Sequence, residues 1–319
     1  KILNLYKDIL LSHTNINNIK ERELPDYFEF LERSNNGKFA SVKEIEPIYY
    51  DTEYLYELNF KNPLDLYEYL KCEPLLNSKV FGHELASQKA TNSFNEMDYQ
   101  QAVNYLKGGY KANLTELLSL KTKLNKELEF PSTRRKVIKS VTGSRLNPNS
   151  FIANDPKRYY KLERIAEREF ITIHLNMAFY HGITKAQILN RGVLLLSLID
   201  ILEENNYSVK LNSFFLMNES NEYMYIKINL KDLNDFLNAK SILFPFTSPA
   251  FFRRCIFRVM ESMPVEKGWG FGYGTTASDE ESRKILNLNN SDILVKNGYA
   301  TLSDSIFINN FNFKSKYII

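Results

Sequence analysis

Between Glu169 and Leu230 the apolar residues change period twice, and that change limits the chain to few folds. In FITIHLNMAF, Ile171, Ile173 and Leu175 alternate with Thr172, His174 and Asn176, the two-residue period of a half-buried strand. In TKAQILNRGVLLLSLIDILEENN, Thr184 and Gln187 have capping-box spacing, which predicts a helix start. Val193, Leu194, Leu195, Leu196, Leu198 and Ile199 make that helix apolar nearly all round, so it must be covered on more than one side. Gly192 in its middle costs about 1 kcal/mol relative to alanine, and close backbone packing on the sheet is the expected reason to keep it. Two further strands, Ser208–Leu216 and Tyr223–Leu230, flank a short NESN turn and form an antiparallel hairpin. The helical crossover before them makes the first pair parallel. The expected fold class is α/β: a mixed, mostly parallel sheet flanked by helices from about residue 131 onward, preceded by a largely helical N-terminal region.

The rest of the chain reads as cover or extension. Residues 1 to about 35 suggest two short helices. Tyr49, Tyr50, Tyr54, Tyr56 and Phe60 form an aromatic stretch before a helix capped by Asn62 with Pro63 in its first turn. SQKATNSFN, residues 87–95, is the most turn-like stretch of this half. It divides an N-terminal helical and aromatic region, 1–93, from an α/β domain, 94–319. Asp98 caps a helix that Gly108-Gly109 ends, and another runs from Leu114 to about Leu128. Ser248 and Pro249 open a helix to about Met263, Ser278 and Glu281 form a second capping box, and the tail from Tyr299 to Ile319 reads as extended.

The charge balance, 41 Lys+Arg against 38 Asp+Glu, gives no global attraction to polyanions, so any nucleic-acid partner needs a local patch. One stretch supplies it. Arg134, Arg135, Lys136 and Lys139, then Arg145, then Lys157, Arg158, Lys161 and Arg164 stand among few acids. A helix presenting these cations on one face would meet phosphates; a solvated surface is the plainer alternative. Between them GSRLNPNSFIANDP is a turn-rich connector in which Phe151 and Ile152 are expected to anchor on the core. Arg253 and Arg254 open a helix whose dipole disfavours cations, so a carboxylate within the fold or an anionic partner should lie within reach.

Catalytic chemistry finds little support. GWGFGYG lacks phosphate-loop spacing, His13, His83, His174 and His181 lack ligand spacing, and there is no GxSxG. Neither a cofactor nor a metal is expected. Cys72 and Cys255 lie far apart and read as buried free thiols of a reducing compartment. No apolar run approaches the ~18 residues of a membrane span.

FNEMDYQQAVNYLKGGY, VTGSRLNPNSFIANDPKRYYKLER, NRGVLLLSLIDILEENNYSVKL and FPFTSPAFFRRCIFRVMES, in this order, resemble the recurrent blocks of an uncharacterised family of tailed-bacteriophage proteins. The resemblance covers roughly residues 94–275, leaving 276–319 as a strand extension. It implies a phage-encoded protein and no activity; Ser248-Pro249 stands where that family more often has His-Pro. The element order from Glu169 also looks like the first half of a von Willebrand factor A domain. That resemblance implies a metal site at the end of the first strand, but Asn176–Tyr180 lacks the acid and serines of its DxSxS motif. The expected function is therefore a non-enzymatic phage accessory or structural protein, in host cytoplasm or virion, contacting other phage or host proteins and no membrane. The alternative is nucleic-acid binding through 134–139 and 157–164.

Overall fold

A computed structural model describes residues 38–45, 53–72, 97–110, 135–164, 169–179, 183–204, 207–219, 222–233, 239–263, 276–289 and 292–295, with a few single residues between them. The elements begin with strands β1 (Ala40–Ile45) and β2 (Glu53–Phe60) and helices α1 (Pro63–Lys71) and α2 (Tyr99–Gly108). Strands β3 (Arg135–Ser140) and β4 (Arg145–Leu146), helix α3 (Pro148–Ile152) and strand β5 (Tyr159–Arg164) follow. Then come β6 (Glu169–Asn176), α4 (Lys185–Glu204), β7 (Tyr207–Glu219), β8 (Glu222–Lys231) and α5 (Ala239–Thr247). A π-helical segment (Phe251–Ile256) runs into α6 (Phe257–Glu261), and α7 (Asp279–Ile285) and β9 (Ile293–Val295) complete the described set.

The main sheet is mixed, with strand order β1-β2-β8-β7-β6-β9. β6 and β7 pair in parallel and β7 with β8 antiparallel, as the helical crossover and the short turn require. β9 adds in parallel on the free side of β6. Within the region read as helical and aromatic, Ala40–Ile45 and Glu53–Phe60 are strands instead: β2 lies parallel to β8, with Tyr54 opposite Glu222. The α/β sheet therefore crosses the boundary drawn at residue 93. Glu57 and Asn59, alternating with Tyr56, Leu58 and Phe60, carry the strand signal, which the local density of tyrosine hides.

One face of this sheet is largely apolar, with Ser213 and Lys231 its buried polar exceptions. Ile171, Ile173, Leu175, Val209 and Leu211 are buried against α4 and α5, while Leu58, Phe60, Phe215, Ile226 and Ile228 meet α1, α2 and the π-helical segment. α4 is buried on nearly every side, as its composition demands. The Thr184–Gln187 capping box forms in both directions. Gly192 has a different reason from the one expected: a Cβ there would collide with the carbonyl of Phe246 on α5, so the close approach is helix to helix. The sequence suggests only a short helix at Asn234–Lys240, whereas α5 runs from Ala239 to Thr247 with Pro245 inside it, and proline ordinarily ends a helix. α7, with both halves of its Ser278–Glu281 capping box, covers part of the opposite face over Phe214, Leu216 and Tyr223.

Cys255 is buried as expected, but Cys72 is exposed at the end of α1. Among the described residues no helix is long and apolar enough to cross a membrane. The expected helices of residues 1–35, most of Leu114–Leu128, the GWGFGYG loop, the tail from Tyr299, and Arg134, His13, His83 and His181 lie outside the described residues.

Candidate partner-binding surface

β3, β4 and β5 form a second, three-stranded sheet in the order β3-β5-β4. This corrects the expectation of a cationic helix: Val137, Ile138, Tyr159 and Tyr160 are β-formers, and they decide the local structure. Both basic segments become neighbours in one antiparallel ribbon. Arg135 lies opposite Arg164, Lys136 opposite Glu163, Ile138 opposite Lys161 and Lys139 opposite Tyr160, with Arg145 across from Tyr160 on the other side. Three local devices hold the connections. Gly143 passes so close to β5 that a Cβ would strike the Tyr160 carbonyl. Asn147 caps α3 by accepting from the Ser150 N–H at 3.4 Å, and its own N–H donates to the Arg158 carbonyl at 2.7 Å. Asn154, at φ 51°, turns the chain out of α3 in a left-handed conformation that asparagine tolerates.

Phe151 and Ile152, expected to anchor in the core, do the opposite. Ile152 is 83% exposed, Val141 61% and Phe151 53%. Leu146 and its cross-strand partner Tyr159 are exposed as well. Five of the nine large apolar side chains exposed among the described residues fall within residues 141–159, which marks this module rather than the surface at large. Around them Lys139, Arg145, Lys157 and Lys161 are exposed, and none of the four makes an ion pair among the described residues. Arg158 lies 5.8 Å over the Phe151 ring and donates to Asn154 Oδ1 at 3.4 Å. Charge is segregated accordingly. Residues 134–164 carry nine Lys and Arg against two acids, leaving 32 basic and 36 acidic residues elsewhere.

Of the residues singled out from sequence, Arg135, Lys136, Lys139, Lys157 and Arg158 meet in this ribbon, whereas Arg253 and Arg254 do not. Arg254 is buried beside α2; its Nε donates to the Met97 carbonyl at 3.2 Å and its guanidinium NH1 to the Ser87 carbonyl at 2.8 Å. Burial holds its pKa below the ordinary arginine range, and Asp98 partly offsets this. Arg253 stands 5.2 Å over the Phe257 ring. A second buried arginine, Arg191 of α4, went unnoticed in sequence. It donates to the Asn176 carbonyl at 3.3 Å, lies 4.5 Å over the Phe179 ring, and is lowered to about 9 by burial. The Asn176 side chain accepts from the Ala178 N–H and donates to the Thr276 hydroxyl. A buried guanidinium at the end of β6, with no carboxylate at 176–180, does not fit a divalent cation.

No curated protein and no solved structure matches the chain. One family model does, a domain of unknown function (DUF7192), over residues 42–315. That span takes in most of β1, joins the N-terminal strands to the α/β core and includes the basic ribbon, so the chain belongs to the DUF7192 family.

Proposed function

We propose that this protein is a phage-encoded, non-enzymatic accessory or structural protein that works through protein–protein contacts made by the β3-β4-α3-β5 module. The observation that carries this reading is the exposed apolar group Val141, Leu146, Phe151, Ile152 and Tyr159. Exposed apolar residues gathered in one module, with a charged surround, mark contact surfaces. Lys139, Arg145, Lys157 and Lys161 around them, which make no ion pair among the described residues, favour a partner with acidic residues at its rim. A von Willebrand factor A-like core is part of the same reading. Its support is the strand–helix–strand–antiparallel strand order of β6, α4, β7 and β8, with no metal chemistry attached to it. Host cytoplasm or virion is the corresponding location.

The pairing of two basic strands with Tyr159 and Tyr160 favours nucleic-acid binding as the second reading, since cations interleaved with aromatic rings suit a single strand. One pair of measurements separates the two. A photo-crosslinker at Ile152, introduced in infected cells, should capture one protein. That crosslink should disappear when Phe151→Ser is added and persist with Lys161→Gln. Fluorescence anisotropy with single-stranded oligonucleotides at rising salt should show no specific binding. Binding whose log–log salt slope falls by about 1 with each lysine removed would instead establish the second reading. Neither crosslink nor oligonucleotide binding would overturn both.

A further inference from the structure

Among the described residues the second face of the main sheet is only half covered, and the uncovered half is polar. Beside α7, a groove of about 770 Å³ opens over β2, β6, β7 and β8, a volume that suits small-molecule sites. The register builds its floor: His174 lies opposite Asn212, Asn212 opposite Asn229, and Lys227 opposite Asn59. The two-residue period turns these side chains to one face. Three polar atoms of this floor are buried with no hydrogen-bond partner among the described residues: His174 Nδ1, Asn212 Oδ1 and Asn229 Oδ1. Buried polar groups are ordinarily satisfied, so a row of three across adjacent strands points to donors that arrive from outside the chain. Charge points the same way. Lys210 pairs with Asp232 at 3.4 Å, whereas half-buried Lys227 makes no ion pair among the described residues.

We propose that this groove binds a hydroxyl-bearing organic phosphate, of the size of a sugar phosphate or a mononucleotide. The phosphate sits against the Lys227 ammonium, with Lys61 at the margin. The hydroxyls donate to the orphaned acceptors of Asn212, Asn229 and His174. Glu57 and Asp232 accept from further hydroxyls and keep a bare polyanion from filling the groove. The protonation states agree. Burial lowers His174 to about 4, so it is neutral at pH 7 and serves as an acceptor. Lys227 is lowered by burial and then by neighbouring Lys210, a strain that an anion relieves.

The test is isothermal titration of the full chain with ribose 5-phosphate, adenosine monophosphate, inorganic phosphate and ribose. At least one of the two organic phosphates should saturate a single site at least tenfold more tightly than inorganic phosphate or ribose. Lys227→Gln should weaken it at least tenfold without lowering the melting temperature. Asn59→Ala, at an exposed position of the floor, should weaken it at least threefold and provides a second variant that keeps the fold. The proposal is overturned if neither organic phosphate binds, if inorganic phosphate binds as tightly, or if both variants bind like the native chain.

Discussion

Arg254 and His174 show how much a single side chain depends on neighbours that sequence does not reveal. Sequence spacing showed that two arginines opened a helix and needed a counterpart. It gave no sign that Arg254 would find two backbone carbonyls, because Met97 and Ser87 lie more than 150 residues away. Arg254→Ala leaves both carbonyls without this donor, and should cost about 1.5–3 kcal/mol in urea unfolding; Arg254→Lys, which lacks the fork, should recover only part. His174 yields a pH prediction. Its folded pKa is about 4 against the ordinary 6.5, so below pH 6.5 the unfolded chain takes a proton that the folded chain refuses. Stability is therefore complete above pH 6.5 and falls as the pH drops towards 4. Between pH 7.5 and pH 5 the loss should be about 2 kcal/mol. Urea midpoints for the native chain and His174→Gln check this: the difference between the two pH values should shrink in the variant.

At the scale of elements, α4 was the most legible part of the chain and α5 the least. A helix apolar on all sides has only one solution, burial between layers, and Leu195 and Ile199 are fully buried. Leu195→Ala or Ile199→Ala should destabilise by roughly 2–5 kcal/mol, readable as a fall in melting temperature. Gly192→Ala should be as harmful despite alanine's better helix propensity, because its methyl meets the Phe246 carbonyl. The same substitution at Gly108, where a Cβ would meet nothing, should be nearly silent or mildly stabilising; the pair of melting curves separates contact from propensity. The basic ribbon was half legible. Its cations are visible in sequence, but nothing local tells a helix face or a solvated surface from paired strands, and Phe151 and Ile152 read as core residues. An apolar residue carries no mark in sequence that tells burial in its own fold from burial against another molecule.

The whole molecule was legible where neighbours in sequence are neighbours in space. β6, α4, β7 and β8 form a continuous run, whereas β2 and β9 enter the same sheet from far along the chain. Nothing local in EYLYELNF says that it pairs with β8. A chain beginning at residue 94 therefore tests the sequence-based boundary. It would lack β2 and α1, leaving Ile226 and Ile228 without Leu58 and Phe60 beside them, and β8 would become an open edge. Such a chain should aggregate or elute as oligomers in size-exclusion chromatography. A monomer with native melting behaviour would show that the N-terminal strands are dispensable.

The parallel pairing of Tyr54 with Glu222 also sets a clock on biosynthesis. At about 5–20 residues per second, β2 leaves the ribosome roughly 8–30 s before its partner strand has been made. Contacts so distant along the chain must wait for loop closure, which slows folding. During that interval Leu55, Leu58 and Phe60 have no sheet to enter, and holding them apart falls to chaperones or to β1, whose antiparallel pairing with β2 is available at once. Nascent chains arrested before residue 222 should be cut readily by protease within residues 53–60, and chains arrested after β8 has emerged should resist.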